Sequence, residues 1–290
     1  MCDQHTEQDN AAHFESKGIT RRAFNTLAAG ASLAMLLPSA ANAMAVTERD
    51  VSIVTPDGNA DAYFVHPQSG AHAAVLVWPD ILGLRPAFRA MSKRLAESGY
   101  AVLCVNPYYR TEPSPVVPNG ATFSDPAVQE KVFPLYRSLD AATNKTDAIA
   151  FIDWLDQQSA VDTARPVGTM GYCMGGPIIM RTAAAVPDRV AAAASFHGGG
   201  LATDNPDSPH LLIPKMKANF LIAVAANDDE RNPEEKETLR ESFADNGIRA
   251  EIEVYEDTLH GWCPPDSAVY NEQQAERAWS RLLALFDTSL

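Results

Sequence analysis

The chain has 290 residues, of which 46% are hydrophobic and 21% are charged, and its net charge is −14. This hydrophobic content suffices for a packed core and excludes a wholly disordered chain, and the acidic charge argues against nucleic-acid binding, which needs clustered Lys and Arg. Four Cys are too few for a disulfide-stapled fold, and no apolar run reaches the roughly 18 to 20 residues that span a bilayer.

The first 43 residues have the pattern of an export signal. The adjacent Arg21 and Arg22 precede an apolar stretch over 27–37, and small residues at 41 and 43 form a cleavage pattern. The paired arginines resemble a twin-arginine signal, the alternative being a chance basic pair before a core helix. We expect cleavage after Ala43, export by the twin-arginine machinery to the periplasm or another exported location, no membrane association afterwards, and a single domain over 44–290.

Strands and helices alternate along residues 44–290. In chain order the pattern predicts strands Val51–Val54, Ala60–Val65 and Ala73–Trp78, helix Pro86–Ser98, strand Ala101–Val105, helix Lys145–Gln157, strand Pro166–Met170, helix Gly176–Ala185, strands Val190–Phe196 and Asn219–Ala225, a helix from Pro233 that Gly247 closes, strand Glu251–Tyr255 and helix Asn271–Phe286. The first two strands flank a turn and predict a hairpin. The alternation predicts an α/β class fold, a mostly parallel sheet with helices on both faces.

Two predicted helices carry N-terminal capping signals. Asn232 precedes Pro233 and is followed three residues later by Glu235, and Asn271 is followed by Gln274 at the same spacing. An Asn at the N-cap with Glu or Gln at the third helical position forms a capping box. The sequence therefore predicts a capping box at the start of each helix.

One segment, over 108–139, lacks a clear period. It contains or adjoins six prolines, and it follows the predicted strand Ala101–Val105. Loops of this length are usually functional or mobile. Open α/β sheets bind ligands beyond the carboxyl ends of their strands, so this segment is a candidate wall of the binding site.

The strongest motif is Gly-Tyr-Cys-Met-Gly-Gly at 171–176, which follows a predicted strand and opens a helix. It matches the nucleophile elbow of α/β-hydrolases, with Cys173 in the position where Ser is usual. The glycines suit a turn in which neighbouring Cβ atoms would collide, and the helix N-terminus favours a thiolate and a developing oxyanion. The plainer alternative is a buried Cys in a glycine-rich turn.

Candidate partners follow the elbow in the order that α/β-hydrolases require. Asp228 and Asp229 come just after the strand Asn219–Ala225, and His260 follows the strand Glu251–Tyr255. The order nucleophile, acid, histidine is that of the α/β-hydrolase triad. We predict Asp228 as the acid because it is nearer to the strand end, with Asp229 as the alternative.

These motifs resemble the dienelactone hydrolase (carboxymethylenebutenolidase) family over about residues 51–286, and cysteine in the elbow is its most specific element. The resemblance implies a single α/β-hydrolase domain and a triad of Cys173, Asp228 and His260. The resemblance extends to residues 80–83, where an acidic residue is followed by two hydrophobic residues and a glycine. There it implies an oxyanion hole formed by the backbone N–H groups of Ile81 and Met174.

The resemblance further implies that Asp80 helps to activate the thiol, although it is one methylene shorter than the glutamate usual in the family. By position, Arg110 matches the arginine that pairs with the carboxylate of a lactone substrate; the alternative is an exposed loop arginine. Tyr172, His197 and Trp262 are further candidates for substrate binding, and His197 could equally serve a neighbouring loop. No spacing resembles a zinc motif, so we expect neither metal nor cofactor.

Together these features predict a hydrolase that cleaves a small-molecule lactone or activated ester through a thioester on the nucleophilic cysteine. The alternatives are acyl transfer or dehalogenation on the same scaffold, and a non-catalytic binding protein that kept the fold. Dehalogenation would favour an aspartate nucleophile, and a binding protein would favour loss of a triad residue.

Overall fold

The structure is a computed structural model that describes residues 42–290 together with Thr6, Gln8, Asp9, Leu37, Pro38 and Ala40. Most of the predicted export signal, residues 1–43, lies outside the described residues, so the signal, its cleavage site and the domain boundary stay predictions. In the described part of the chain, no helix is both long and apolar enough to cross a membrane.

One eight-stranded sheet organises the described chain. Its strands are β1 (Val46–Thr55), β2 (Gly58–Pro67), β3 (Ala74–Trp78), β4 (Ala101–Val105), β5 (Val167–Tyr172), β6 (Val190–Phe196), β7 (Asn219–Ala225) and β8 (Ala250–Tyr255). They lie in the order β1-β2-β4-β3-β5-β6-β7-β8. β2 pairs antiparallel with β1 and β4, and every other pair is parallel. The predicted hairpin and mostly parallel sheet are confirmed.

Helices cover both faces of this sheet. They are α1 (Pro86–Glu97), α2 (Pro126–Arg137), α3 (Ala141–Asp156), α4 (Gly175–Ala185), α5 (Ala226–Arg231), α6 (Pro233–Asp245) and α7 (Glu272–Ser289), with a 3-10 helix at Pro209–Lys215. Alternate residues of β3 enter different apolar clusters: Leu76 joins the cluster with α3, α4 and α6, and Val75 joins the cluster with α1 and α7. Side chains alternate between faces along a strand, so these clusters are the two cores.

Helix α2 lies within the segment that the sequence analysis treated as irregular. The carboxylate of Asp125 caps it by accepting the backbone N–H of Ala127 at 2.9 Å, and Pro126 occupies the first helical position. Only Val128, Val132 and Leu135 are buried along its length. Pro134 lies inside the helix and few of its side chains are buried, so its apolar period was too weak to predict.

The capping box predicted at Asn232 is wrong. The Asn232 side chain makes no capping hydrogen bond, and Glu235 instead accepts the backbone N–H groups of residues 201 and 202 at 2.5 and 3.0 Å. Buried backbone N–H groups need a hydrogen-bond acceptor inside the protein. The two N–H groups of this loop therefore bind the Glu235 carboxylate, which is then not available for a capping box. At the last helix, Asn271 does accept the N–H of Gln274 at 3.2 Å, but the Gln274 side chain bonds elsewhere.

Candidate active site

The elbow joins β5 to α4 in a turn with almost no free space. Cys173 has a φ of 53°, a left-handed backbone that is uncommon for a residue with a side chain. A Cβ added at Gly171 would lie 2.3 Å from the carbonyl oxygen of Gly175, and one at Gly175 would lie 2.6 Å from that of Trp78. The two glycines are therefore required by close backbone approach, and the turn presents Cys173 at the start of the helix.

His260 is bound on two sides by residues that follow β7. Its Nδ1 lies 2.7 Å from Oδ2 of Asp228, and its backbone N–H donates to Oδ1 of Asn227 at 2.9 Å. Asp229 points to another partner, because Lys236 donates to its carboxylate at 2.5 Å. The geometry therefore favours Asp228 over Asp229 as the carboxylate that orients the imidazole.

Burial and the ion pair shift the pKa values of His260 and Asp228 in opposite directions. Burial alone would lower the pKa of His260, but the neighbouring Asp228 carboxylate raises it to about 9. Burial would likewise raise the pKa of Asp228, yet the charge of His260 lowers it to about 2. Each group thus favours the charged form of the other, and the site stabilises an imidazolium.

The other ring nitrogen of His260, Nε2, has no hydrogen-bond partner among the described residues. His260 and Cys173 are each only 2% exposed. The Cys173 thiol lies close enough for its charge to contribute to the raised pKa of the imidazole. A buried donor or acceptor without a partner is costly, so Nε2 can exchange a proton with a reacting group that comes within hydrogen-bond distance.

A buried ion-pair network holds the loop that carries Ile81. Arg85 donates to both oxygens of Asp80 at 2.6 and 2.9 Å and to both oxygens of Asp266 at 2.7 and 2.9 Å. Oδ1 of Asp80 also accepts the backbone N–H of Leu82 at 2.9 Å. The Asp80 carboxylate lies near enough to Cys173 for their charges to interact. Its predicted part in thiol activation stays a prediction, and Arg85 determines its position.

The sequence analysis did not single out Arg85 or Asp266. Arg85 stands five residues after Asp80, but Asp266 is 181 residues further along, and no local spacing links them. The available signal was an arginine directly before Pro86, at the start of a helix beside a candidate oxyanion loop.

Tyr108 connects the two residues of the predicted oxyanion hole. Its hydroxyl donates to the carbonyl oxygen of Ile81 at 2.9 Å and lies 3.1 Å from the sulfur of Met174. Ile81 is 3% exposed and Met174 is 5% exposed. Tyr108 therefore fixes the loop after β3 against the elbow, and the sequence analysis, which considered Arg110 two residues further on, missed it.

Arg110 is held by two carboxylates. Its guanidinium donates to Asp147 at 2.7 and 2.9 Å and to Asp57 at 2.6 and 3.0 Å. The Asp147 side chain is 1% exposed. A buried carboxylate requires its partner, so this network argues against the predicted role of Arg110 as a clamp for a substrate carboxylate.

The remaining predicted pocket residues pack together in the core. His197 is fully buried, and its ring centroid lies 5.2 Å from that of His260 and 6.3 Å from that of Trp262. Burial and the charge of His260 lower the pKa of His197 to about 3. Tyr172 stacks on Phe196 with 4.9 Å between ring centroids. These contacts favour a packing role, and direct contact of His197, Tyr172 or Trp262 with substrate stays a prediction.

Within residues 42–290 and the few described residues before them, no group of His, Cys, Asp and Glu could hold a metal ion. Cys104, Cys173 and Cys263 are buried, and none of these three cysteines forms a disulfide. The reactive groups that the structure brings together are the Cys173 thiol and the His260 imidazole, with the Asp228 carboxylate on the imidazole.

The order of the strands, the elbow after β5, and the acid and histidine after β7 and β8 define an α/β-hydrolase. The dienelactone hydrolase family matches residues 60–290, and the protein belongs to this family.

Known relatives agree with this assignment. The chain is 25% identical over 234 residues to a carboxymethylenebutenolidase of Pseudomonas putida, covering 80% of this chain and 93% of the relative. It is 27% identical over 244 residues, 81% of this chain and 84% of the relative, to an Escherichia coli K12 protein assigned the same activity. A Klebsiella pneumoniae crystal structure assigned as a dienelactone hydrolase superimposes with a TM-score of 0.72 at 25% identity, covering 84% of this chain and 99% of the other. The protein is a hydrolase of lactones or esters.

Proposed function

We propose that the protein hydrolyses a lactone or activated ester with a triad of Cys173, His260 and Asp228, through a thioester on the cysteine. The observation that carries this proposal is the contact between Nδ1 of His260 and Asp228 at 2.7 Å, on a histidine that shares its buried site with an elbow cysteine. A thiol becomes a good nucleophile when a base or a positive charge favours its thiolate.

In the first half of the reaction, the thiol proton of Cys173 passes to Nε2 of His260 and the resulting thiolate attacks the carbonyl carbon. The oxyanion forms beside the backbone N–H groups of Ile81 and Met174, which donate to it. When the tetrahedral intermediate collapses, the bond between carbon and the leaving oxygen breaks and the imidazolium protonates that oxygen. The acyl group is left as a thioester, and in a lactone the released alcohol remains attached to it.

In the second half, a water molecule attacks the thioester carbonyl while His260 accepts one of its protons. Collapse of this second intermediate releases the carboxylic acid and restores the thiol. While it faces the imidazolium, Asp228 stays ionised, because the charge of His260 lowers its pKa to about 2 against the effect of burial, and it orients the ring. Activated esters suit this chemistry because their leaving groups depart easily.

The localisation belongs to the same proposal. The twin-arginine pattern at residues 21 and 22 and the small-residue site before Met44 support export of the folded protein and removal of residues 1–43. Fractionation of cells that produce the full chain, with a variant in which both arginines are replaced by Lys, tests this part. Unchanged export of that variant would contradict it.

The catalytic test uses 4-nitrophenyl acetate and an enol lactone with the wild type, Cys173→Ala and a control, Cys104→Ala. Cys104 lies in β4 and is fully buried, so its replacement changes a core contact but no proposed catalytic group. We expect Cys173→Ala to lose activity by at least about 10³-fold and the control to keep it. Acid quenching followed by mass spectrometry should show an acyl group on the peptide that contains Cys173. Equal activity of Cys173→Ala and the wild type would refute the mechanism.

A further inference from the structure

His197 lies beside the proposed triad with two polar ring atoms that the fold leaves without a partner. It directly follows β6 and is fully buried, and neither Nδ1 nor Nε2 has a hydrogen-bond partner among the described residues. Nε1 of Trp262, whose ring centroid lies 6.3 Å from that of His197, also has no partner there. Burying polar atoms without partners costs free energy, so packing alone would favour an apolar ring at this position.

The backbone fixes where this ring lies. The N–H of His197 donates to the carbonyl oxygen of Ala223 in β7 at 2.8 Å. The φ of His197 is 40°, a left-handed value that histidine adopts more readily than most residues with a side chain. The next residue, Gly198, is packed against the elbow, because a Cβ added to it would lie 2.9 Å from Cα of Gly176. The loop after β6 therefore holds the ring in place beside the elbow.

The His197 ring is close to all three groups of the proposed triad. Its centroid lies 5.2 Å from that of His260, with 71° between the ring planes, and the charges of Cys173 and Asp228 also act on it. Burial and the charge of His260 lower the pKa of His197 to about 3, so its ring stays neutral when the imidazolium forms. A neutral imidazole has one nitrogen that donates and one that accepts. His197 can therefore hydrogen-bond to a reacting molecule without competing with His260 for a proton.

The separation of the two histidine rings is compatible with one water molecule that bonds to both. Two hydrogen bonds of about 2.9 Å each join nitrogens up to about 5.8 Å apart, and the ring centroids are 5.2 Å apart. Nε2 of His260 has no partner among the described residues either. Buried waters typically satisfy polar atoms that the protein leaves unpaired. The second half of the proposed reaction needs a water molecule beside His260 and beside the acyl group on Cys173.

We propose that His197 is a catalytic residue of the second half of the reaction, in which it binds and orients the water molecule that hydrolyses the thioester. The water oxygen bonds to the thioester carbon while one of its protons passes to Nε2 of His260. The other O–H of the water donates to the unprotonated ring nitrogen of His197 and keeps its proton. Collapse of the intermediate breaks the bond between carbon and sulfur, and the imidazolium returns its proton to the sulfur. This rests on the proposed function and assigns one more residue to it.

His197→Phe tests the proposal because it keeps a buried ring against His260 and removes both ring nitrogens. With a 4-nitrophenyl ester, kcat/KM reports the steps up to formation of the thioester, and acid quenching with mass spectrometry follows the loss of the acyl group from Cys173 in a single turnover. We expect the rate constant for acyl loss to fall at least about tenfold, because the attacking water loses a hydrogen bond. We expect kcat/KM to stay within about threefold of the wild type.

The matched control is His66→Phe, the same replacement in β2, where the ring of His66 packs on Phe64 with 5.1 Å between centroids. Both rate constants of this control should equal those of the wild type. If His197 only holds His260 in place, its loss slows both halves of the reaction, since His260 serves in both. A fall in kcat/KM as large as the fall in acyl loss would therefore overturn the inference, and so would unchanged acyl loss in folded His197→Phe.

Two further variants address the left-handed backbone at this position. His197→Asn suits a positive φ and keeps a donor and an acceptor, so it should lose the acyl group faster than His197→Phe. If His197→Phe does not fold, His197→Gly takes its place, because glycine adopts a positive φ without strain. Its acyl loss should be slow and should become faster when imidazole is added. Acyl loss at the wild-type rate from His197→Gly without imidazole contradicts the inference.

The same measurements separate this inference from the proposed function. If the wild type never carries an acyl group on Cys173, the proposed function fails and the role of His197 fails with it. If the wild type and His197→Phe both form the thioester and lose it at the same rate, the proposed function stands and the inference alone is refuted.

Discussion

Replacing Asp228 with Asn tests the central contact of the proposed triad. The carboxylate lies 2.7 Å from Nδ1 of His260 and, against the effect of burial, raises the pKa of that imidazole from 6.5 to about 9. This rise corresponds to about 3 kcal/mol of imidazolium stabilisation. Loss of that stabilisation in a transition state that contains the imidazolium lowers kcat by about 10²-fold, and an amide could also hold the ring in the wrong tautomer, which adds to the loss.

The matched control is Asp229→Asn, at the adjacent residue whose carboxylate pairs with Lys236. We expect it to change kcat less than about threefold, because an ion pair with partial exposure contributes little. The assay is initial-rate hydrolysis of a 4-nitrophenyl ester, and the rate of Cys173 alkylation against pH supplies a second readout. In Asp228→Asn the pH at which alkylation reaches half its maximum should move, because the charge of the imidazole depends on that carboxylate. A larger loss in Asp229→Asn than in Asp228→Asn would refute the assignment of the acid.

Three further outcomes follow from the geometry. Tyr108→Phe should lower kcat about fivefold with KM little changed, because it loses a hydrogen bond worth about 1 kcal/mol that holds the oxyanion loop; a fall in thermal stability with normal kcat would indicate a purely structural role. Gly171→Ala should lower the free energy of unfolding by about 3 kcal/mol or more through backbone collision, against about 1 kcal/mol for Gly120→Ala, where the added Cβ meets open space but φ is positive. Although burial opposes it, Asp228 raises the pKa of His260 to about 9. The stabilisation of the folded state by the imidazolium is therefore complete below about pH 6.5 and is lost as pH rises through about 9. Denaturant unfolding between about pH 6 and 10 should show that the difference in free energy of unfolding between wild type and His260→Gln shrinks by about 3 kcal/mol.

Much of the fold could be predicted because local patterns determine it. The buried strands β4, β6 and β7 have the predicted bounds, since continuous apolar runs between turns have few other solutions. Helix α5 was missed because it has only six residues and begins directly at the end of β7. Its short length leaves no period to detect, yet it carries Asp228.

At the site, the contacts that could not be predicted are those between residues that lie far apart in the sequence. The elbow could be recognised because Gly171, Cys173 and Gly175 lie within one short stretch of sequence, in a turn where a Cβ at either glycine would collide with backbone. The partners of Arg85 and Arg110 could not be deduced, because Asp266 lies 181 residues from Arg85 and Asp147 lies 37 residues from Arg110. A sequence motif shows that an arginine is present at a given position. Whether its charge can bind a ligand depends on which carboxylates the fold places next to it.

The burial of the cysteines gives a physical reason for the proposed export in folded form. A nucleophilic thiol is a target for oxidation in an oxidising compartment, and Cys173 is only 2% exposed in the folded chain. Burial also raises the pKa of Cys104 to about 12 and that of Cys263 well above its ordinary value, which makes both thiols unreactive. An unfolded chain crossing the membrane would expose all of these sulfurs at once. Folding before export would place each of these sulfurs behind packed side chains first.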